Sequence, residues 1–297
     1  MHLRDPTQAA LDRASRARPV FLGLAWYELL PIFLILAGEG LIFAGYSVLG
    51  VGVQALNIIV VALIVLALHD ERAQLVQALA LISVFRVVNL SFALLPAIFG
   101  LVIVYGGMSV PIIAIIPTVN LWPLMTIYGV MFIPIIAIIA HRKLSRHDLG
   151  LTGGLRLTYL IPFGTLVGVA LGLIEYAILA NKALIPNLSA SELIQLSIVV
   201  IFFVALVEEL LFRVLLQPQL VERSGAVAGI LMTSVLFGAW HAGYANVYEL
   251  LFTAGAGVVF GVAFYKTKSL PFVVTMHAVD DILLFGVLPF LALVLPH

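Results

Sequence analysis

The sequence predicts an all-α, polytopic transmembrane bundle of about nine spans, with eight and ten as the bounds. Three observations carry that prediction. Hydrophobic residues fill 63% of the 297 positions and charged residues 10%, and mean hydropathy is +1.19; no soluble domain of this length hides so much apolar surface. The apolar residues fall in runs of the roughly 20 residues that a span requires. The alternating pattern of a membrane barrel is absent, which leaves helices as the way to satisfy the backbone in lipid.

The spans are placed near 28–49, 52–68, 76–105, 110–140, 157–180, 193–217, 226–243, 248–265 and 271–293. The polar stretch 1–19, with Arg4, Arg13, Arg16 and Arg18, reads as a short cytoplasmic tail before a retained first span, because the apolar run after it is too long for a signal peptide. The third and fourth spans contain Pro96, Pro117, Pro123 and Pro134 and could instead be three. The positive-inside rule favours nine. It puts Arg72, Arg142, Lys143, Arg146, Arg156, Arg223, Lys266 and Lys268 on the same side as the N-terminal arginines, and only Lys182 outside. The chain is therefore expected to be an integral, multi-pass membrane protein with a cytoplasmic N-terminus, in the cell membrane if the source is prokaryotic.

The polar loop 141–156 divides an N-terminal helical extension, 1–140, from a core at 157–297 that carries the chemistry. Formal net charge is zero and no basic stripe is present, which argues against nucleic acid as a partner. Cysteine is absent, which excludes disulfides, thiolate metal sites and cysteine nucleophiles. Gly164, Gly168 and Gly172, then Gly225 and Gly229, then Gly257 and Gly261, recur at spacings that let helices approach closely. Glu39 and Arg86 are expected to pair with each other. Glu28 and Glu249 lie near span ends, within reach of water. Glu175 lies deep in the fifth span without an obvious partner, and residues 69–72 read as a solvated loop.

The stretch 202–217, FFVALVEELLFRVLLQ, sets the functional question. Each charged side chain at a bilayer centre costs about 2.5–3.5 kcal/mol on insertion scales, yet Glu208, Glu209 and Arg213 fall within two turns. Glu209 and Arg213 are i and i+4 and can pair. Glu208 lies about 100° round the helix and has Phe212 at i+4, so it reads as facing a cavity; a structural ion cluster is the competing reading. Two later spans add Phe237 with His241, and His277 with Asp281 at i, i+4. Three consecutive spans each bringing titratable groups into the membrane point to one working site.

The segments EELLFR (208–213), FGAWH (237–241) and HAVDD (277–281) resemble the three motifs of the CAAX protease and bacteriocin-processing family of intramembrane proteases. Those motifs are Glu-Glu-x-x-x-Arg, Phe-x-x-x-His and His-x-x-x-Asn or Asp. The resemblance covers roughly 193–290. A glycine often follows the arginine in that family, where Val214 stands here. The resemblance implies a helical bundle with its catalytic core in the last four or five helices and a cavity opening toward the cytoplasm. It also implies hydrolysis of a peptide bond near the membrane surface. The eukaryotic branch trims prenylated CAAX proteins; other members are linked to bacteriocin processing, self-immunity or regulatory proteolysis.

In these terms Glu208 is the general base for water and His241 orients that water. His277 donates to the oxyanion, while Glu209 is held by Arg213 and fixes the helix, with Phe237 in support. Asp281 departs from members with an amide there: ionised, it can only accept, so it is protonated, orients His277 from behind, or helps bind a cation. No cofactor is favoured, although Glu208, His241 and His277 form a conceivable His₂Glu zinc set; the usual H-E-x-x-H helix is missing. Expected partners are membrane lipid and a protein or peptide substrate, lipidated or not. The alternatives are a zinc protease on the same fold, a non-catalytic scaffold or immunity protein, and a transporter, the last disfavoured because the halves show no inverted symmetry. Counting 1.5 Å per residue from the inner span ends leaves one difficulty: His241 comes out roughly 10 Å further outward than the other groups.

Overall fold

The computed structural model describes residues 21–68, 70–99, 102–105, 108–111, 121–152 and 156–292. Nine helical segments follow one another through them. They are α1 (Trp26–Phe43), α2 (Ser47–Ala67), α3 (Asp70–Phe99), α4 (Leu121–His141), α5 (Leu157–Leu179), α6 (residues 190–224), α7 (Ala226–Trp240), α8 (Val247–Thr267) and α9 (residues 270–292). Eight of them contain a stretch long and apolar enough to cross a membrane. The other, α6, is a continuous helical path whose winding alternates: it is π-helical over Val200–Ala205 and again over Leu210–Leu216. Leu206–Glu209, between these turns, is α-helical and carries both glutamates.

The expected boundaries shift in three places. The first hairpin turns at 44–46 instead of near 50. The helix α3 runs through Pro96 to Phe99 and is followed by a short antiparallel ribbon, β1 (Val102–Tyr105) against β2 (Met108–Pro111), with Val102 opposite Pro111. The fourth span therefore begins at Leu121, with Pro123 in the first turn, where its missing N–H breaks no helical bond. The tail 1–20, residues 112–120 with Pro117, residues 293–297, and the side chains of 69–72 lie outside the described residues. Finally, α6 continues to Ser224, beyond the expected 217.

Glycine spacing sets two close contacts. Along α5, Gly164, Gly168 and Gly172 face Phe272, Met276 and Asp280 of α9; a Cβ on Gly168 would stand 2.4 Å from the Met276 carbonyl oxygen. Between α6 and α7 the chain reverses at Gly225, whose φ of +82° suits glycine, and Gly229 lies against Val221, 2.5 Å from Cβ position to backbone nitrogen.

A buried polar network joins the first three helices. Gln54 donates to Glu39 (3.0 Å) and to the Ile35 carbonyl (3.2 Å). Ser83 donates to Gln54 (2.6 Å) and Asn57 to Ser83 (2.9 Å). Arg86 closes it on Glu39 at 2.9 and 2.8 Å, the pairing that the sequence suggests.

The cationic turns meet at one end of the bundle. Arg142 donates to the Gln74 carbonyl (2.6 Å), Gln219 to the Gln74 side chain (3.1 Å), and the Leu270 N–H to the Gly150 carbonyl (3.0 Å). Glu28 is not in water as expected but buried, and it pairs with Arg223 at 2.6 Å.

Candidate active site

The helix α6 brings Glu208 and Glu209 to the centre of the bundle, and its π turns bracket them. Such turns widen the helix and re-aim side chains, and they are frequent at functional sites. Glu209 and Arg213 form the i, i+4 ion pair, Nε to Oε2 at 2.9 Å, with both side chains fully buried. The guanidinium is enclosed by rings, 4.9 Å from the centroid of Phe237, 5.8 Å from Phe260 and 6.0 Å from Phe212. A desolvated cation over aromatic faces gains up to about 2 kcal/mol per such contact.

The other oxygen of Glu209 reaches α9: His277 Nδ1 lies 2.9 Å from Glu209 Oε1. A carboxylate only accepts, so Nδ1 carries the proton and Nε2 is turned the other way. There it stands 3.6 Å from Asp281 Oδ2 and 3.9 Å from Glu208 Oε2. The residue behind the imidazole is thus Glu209, and Asp281 is on its cavity side. Phe260 stacks on the His277 ring at 5.5 Å and Phe237 meets it edge-on at 5.9 Å.

Glu208 divides its two oxygens between tasks. Oε1 accepts a 2.6 Å hydrogen bond from Tyr128 of α4. Oε2 is buried and accepts no hydrogen bond from the described residues. His241 opens the single 3₁₀ turn His241–Tyr244 at the end of α7. Its Nδ1 donates to the Phe237 carbonyl at 2.9 Å, because a carbonyl only accepts, and this leaves Nε2 for the cavity.

Glu208, His241, His277 and Asp281 line one cavity of about 600 Å³, together with Tyr128 and Arg86 from the first half of the chain. Glu209, Arg213 and Phe237 form the layer behind it. The depth difficulty disappears because α6 runs on to Ser224. Measured along the α6–α7 hairpin, Glu208 and His241 stand 17 and 16 residues from Gly225, so antiparallel packing puts them level.

The sequence reading missed Tyr128, since a tyrosine inside an apolar span carries no signal of its own. It treated Arg86 as a structural partner of Glu39. Arg86 also donates to the Trp240 carbonyl, one residue before His241, while Trp240 stacks on Phe85 with centroids 4.1 Å apart. Glu175 also lines the cavity, beside the buried acids Asp280 and Glu249. Glu249 is fully buried rather than solvated. Among the described residues no group of three or more His, Asp or Glu is arranged to hold a metal ion.

The described residues thus form a polytopic helical bundle with acids and imidazoles around one buried cavity. Residues 190–283 match the family model described as Type II CAAX prenyl endopeptidase Rce1-like. That segment, about a third of the chain, contains all three motifs. No curated protein and no solved structure matches the chain.

Proposed function

We propose that the protein is an intramembrane endopeptidase in which Glu208 activates water for attack on a peptide bond of a membrane-associated polypeptide. The observation that carries this reading is the state of Glu208: one oxygen is anchored by Tyr128 while the other is buried, without a donor among the described residues, and the side chain lines the same cavity as His241 and His277. A carboxylate held this way is fixed in orientation and has one lone-pair face free for a water proton.

The steps follow from these positions. Oε2 of Glu208 takes a proton from water, and the water oxygen attacks the carbonyl carbon of the scissile bond. His241, with its Nδ1–H committed to Phe237, offers Nε2 as an acceptor that orients the second water hydrogen. The carbonyl electron pair moves onto oxygen, where His277 donates from Nε2 as an imidazolium whose Nδ1–H is bound to Glu209. Asp281, 3.6 Å from Nε2, aligns the Nε2–H and, when ionised, cannot itself donate to the oxyanion. The proton on Glu208 passes to the leaving nitrogen as the C–N bond breaks. An oxyanion donor of this kind contributes about 2.7–4 kcal/mol, and proton transfer by a positioned group about 10²–10⁴-fold.

The test is cleavage of a fluorogenic peptide library by purified protein in nanodiscs, comparing the parent with Glu208→Gln and His277→Ala, each with and without chelator. Activity that survives chelation and is lost in both variants is the expected result. Activity retained in Glu208→Gln would sink the proposal, and loss on chelation alone would favour a metal-assisted hydrolase.

A further inference from the structure

The cavity wall carries one acid that the hydrolytic steps do not use. Glu175 lines the cavity, and two further carboxyls stand beside it, Asp280 on α9 and Glu249 on α8. Close packing brings them together. A Cβ on Gly172 of α5 would stand 2.9 Å from the Asp280 carbonyl oxygen, and Glu175, three residues on, shares that face of the helix. Glu249 lies in the first turn of α8, where Asn246 caps the helix and the helix dipole favours negative charge. Tyr244, which stacks on His241 with centroids 6.2 Å apart, lies among Glu175, Glu249, Asp281 and Glu208.

These three acids lack a counter-ion within the protein. Among the described residues none of Glu175, Asp280 and Glu249 forms an ion pair with a lysine, arginine or histidine. Arg86, on the same cavity wall, is held by Glu39. Glu249 is fully buried, and neither of its oxygens accepts a hydrogen bond from the described residues; Oδ1 of Asp280 is in the same state. The described acids do not converge as metal ligands. Buried carboxyls in this condition are satisfied by a cation that donates hydrogen bonds.

Amide hydrolysis generates such a cation at this wall. One water proton travels through Glu208 to the nitrogen as the C–N bond breaks. The second leaves the new carboxyl group for the same nitrogen, so the products are a carboxylate and an ammonium. We propose that Glu175, backed by Asp280 and Glu249, is the subsite that receives the amino group released from the scissile bond. The proposal rests on the hydrolytic reading above and deepens it. The carbonyl oxygen is drawn to the His277 imidazolium and the nitrogen to the acids, which fixes the direction in which the peptide lies across Glu208. Every peptide bond releases an amine, so the subsite serves any flanking sequence.

The test measures product binding. The probe is the C-terminal fragment of whichever library peptide the parent cleaves, prepared with a free amino terminus and with an acetylated one. Its dissociation constants are measured by titration calorimetry on the full-length protein in nanodiscs at about pH 6.5, where an α-amino group carries its proton. The parent is expected to bind the free-amine fragment about 10- to 100-fold more tightly than the acetylated one, the range of a hydrogen bond to a charged group. Glu175→Gln should bind the two nearly equally while holding the acetylated fragment as the parent does. Glu249→Gln, which changes the charge behind the wall, should keep part of the preference. A parent without preference, or a preference that survives in Glu175→Gln, would overturn the proposal. Where thermal unfolding shows that Glu175→Gln does not fold, Glu249→Gln decides, and an undiminished preference there overturns it. A parent that cleaves no library peptide sinks the hydrolytic reading and this subsite with it; equal binding by a parent that does cleave sinks the subsite alone.

Discussion

The Tyr128 hydroxyl and the Arg213 guanidinium hold the two glutamates in different ways, and their removal separates positioning from stability. A hydrogen bond to a charged group contributes about 1.5–3 kcal/mol, so Tyr128→Phe is expected to lower kcat by about 10- to 100-fold. KM and the unfolding temperature should stay near the parent, because the ring still packs on Phe85 at 4.9 Å. Steady-state cleavage and thermal unfolding in detergent check both parts. Arg213→Ala behaves differently. It leaves Glu209 buried without its cation, which costs about 3–5 kcal/mol in comparable sites, and it empties the space between three aromatic rings. Thermal unfolding should register that loss directly. Arg213→Lys should recover part of it, since the charge returns without the flat guanidinium that stacks between rings.

At the scale of elements, the α5–α9 contact carries half of the cavity, because His277 and Asp281 ride on α9. Gly168→Val sets a branched side chain where even a Cβ meets the Met276 carbonyl at 2.4 Å. The helices must separate, so folding yield and activity should fall together. Gly40→Ala in α1, where nothing lies within 4 Å of the added carbon, is the matched control and should leave both unchanged. Size-exclusion profiles and cleavage rates decide the comparison. Much of this layer was legible beforehand, for physical reasons. Charged groups in apolar runs are costly enough to stand out, so Glu208, Glu209, Arg213, His241, His277 and Asp281 could be named from the chain alone. Glycine at fourfold spacing likewise announced close helix approach. The π turns of α6 were not legible, because no residue type marks them. Tyr128 was hidden because its partner lies 80 positions away. The extension of α6 to Ser224 was missed because Gln217–Ser224 is polar and looks like loop, although it is a helical exit into the cationic end.

For the whole molecule, the first three helices and the last four meet at Arg86, which serves Glu39 on one side and the Trp240 carbonyl on the other. The N-terminal half is therefore part of the frame that sets His241, even though it lies outside the segment matched by the family model. Arg86→Met alone strands the Glu39 carboxylate and is expected to destabilise by about 3–5 kcal/mol. The pair Glu39→Gln with Arg86→Met should cost less than the two single changes summed, which a double-mutant cycle on thermal unfolding measures. In the double variant the His241 turn loses its backbone anchor, so activity should remain low even where stability recovers.

The pairing of Arg86 with Glu39 also bears on how the chain enters the bilayer. Both partners are synthesised within the first three helices, and Arg213 follows its own counter-charge by four positions on one helix. Each cation destined for the hydrocarbon is thus accompanied by an acid that leaves the ribosome before it. Biogenesis can proceed from the N-terminus without any stage at which a bare positive charge waits in lipid for a partner still to be made.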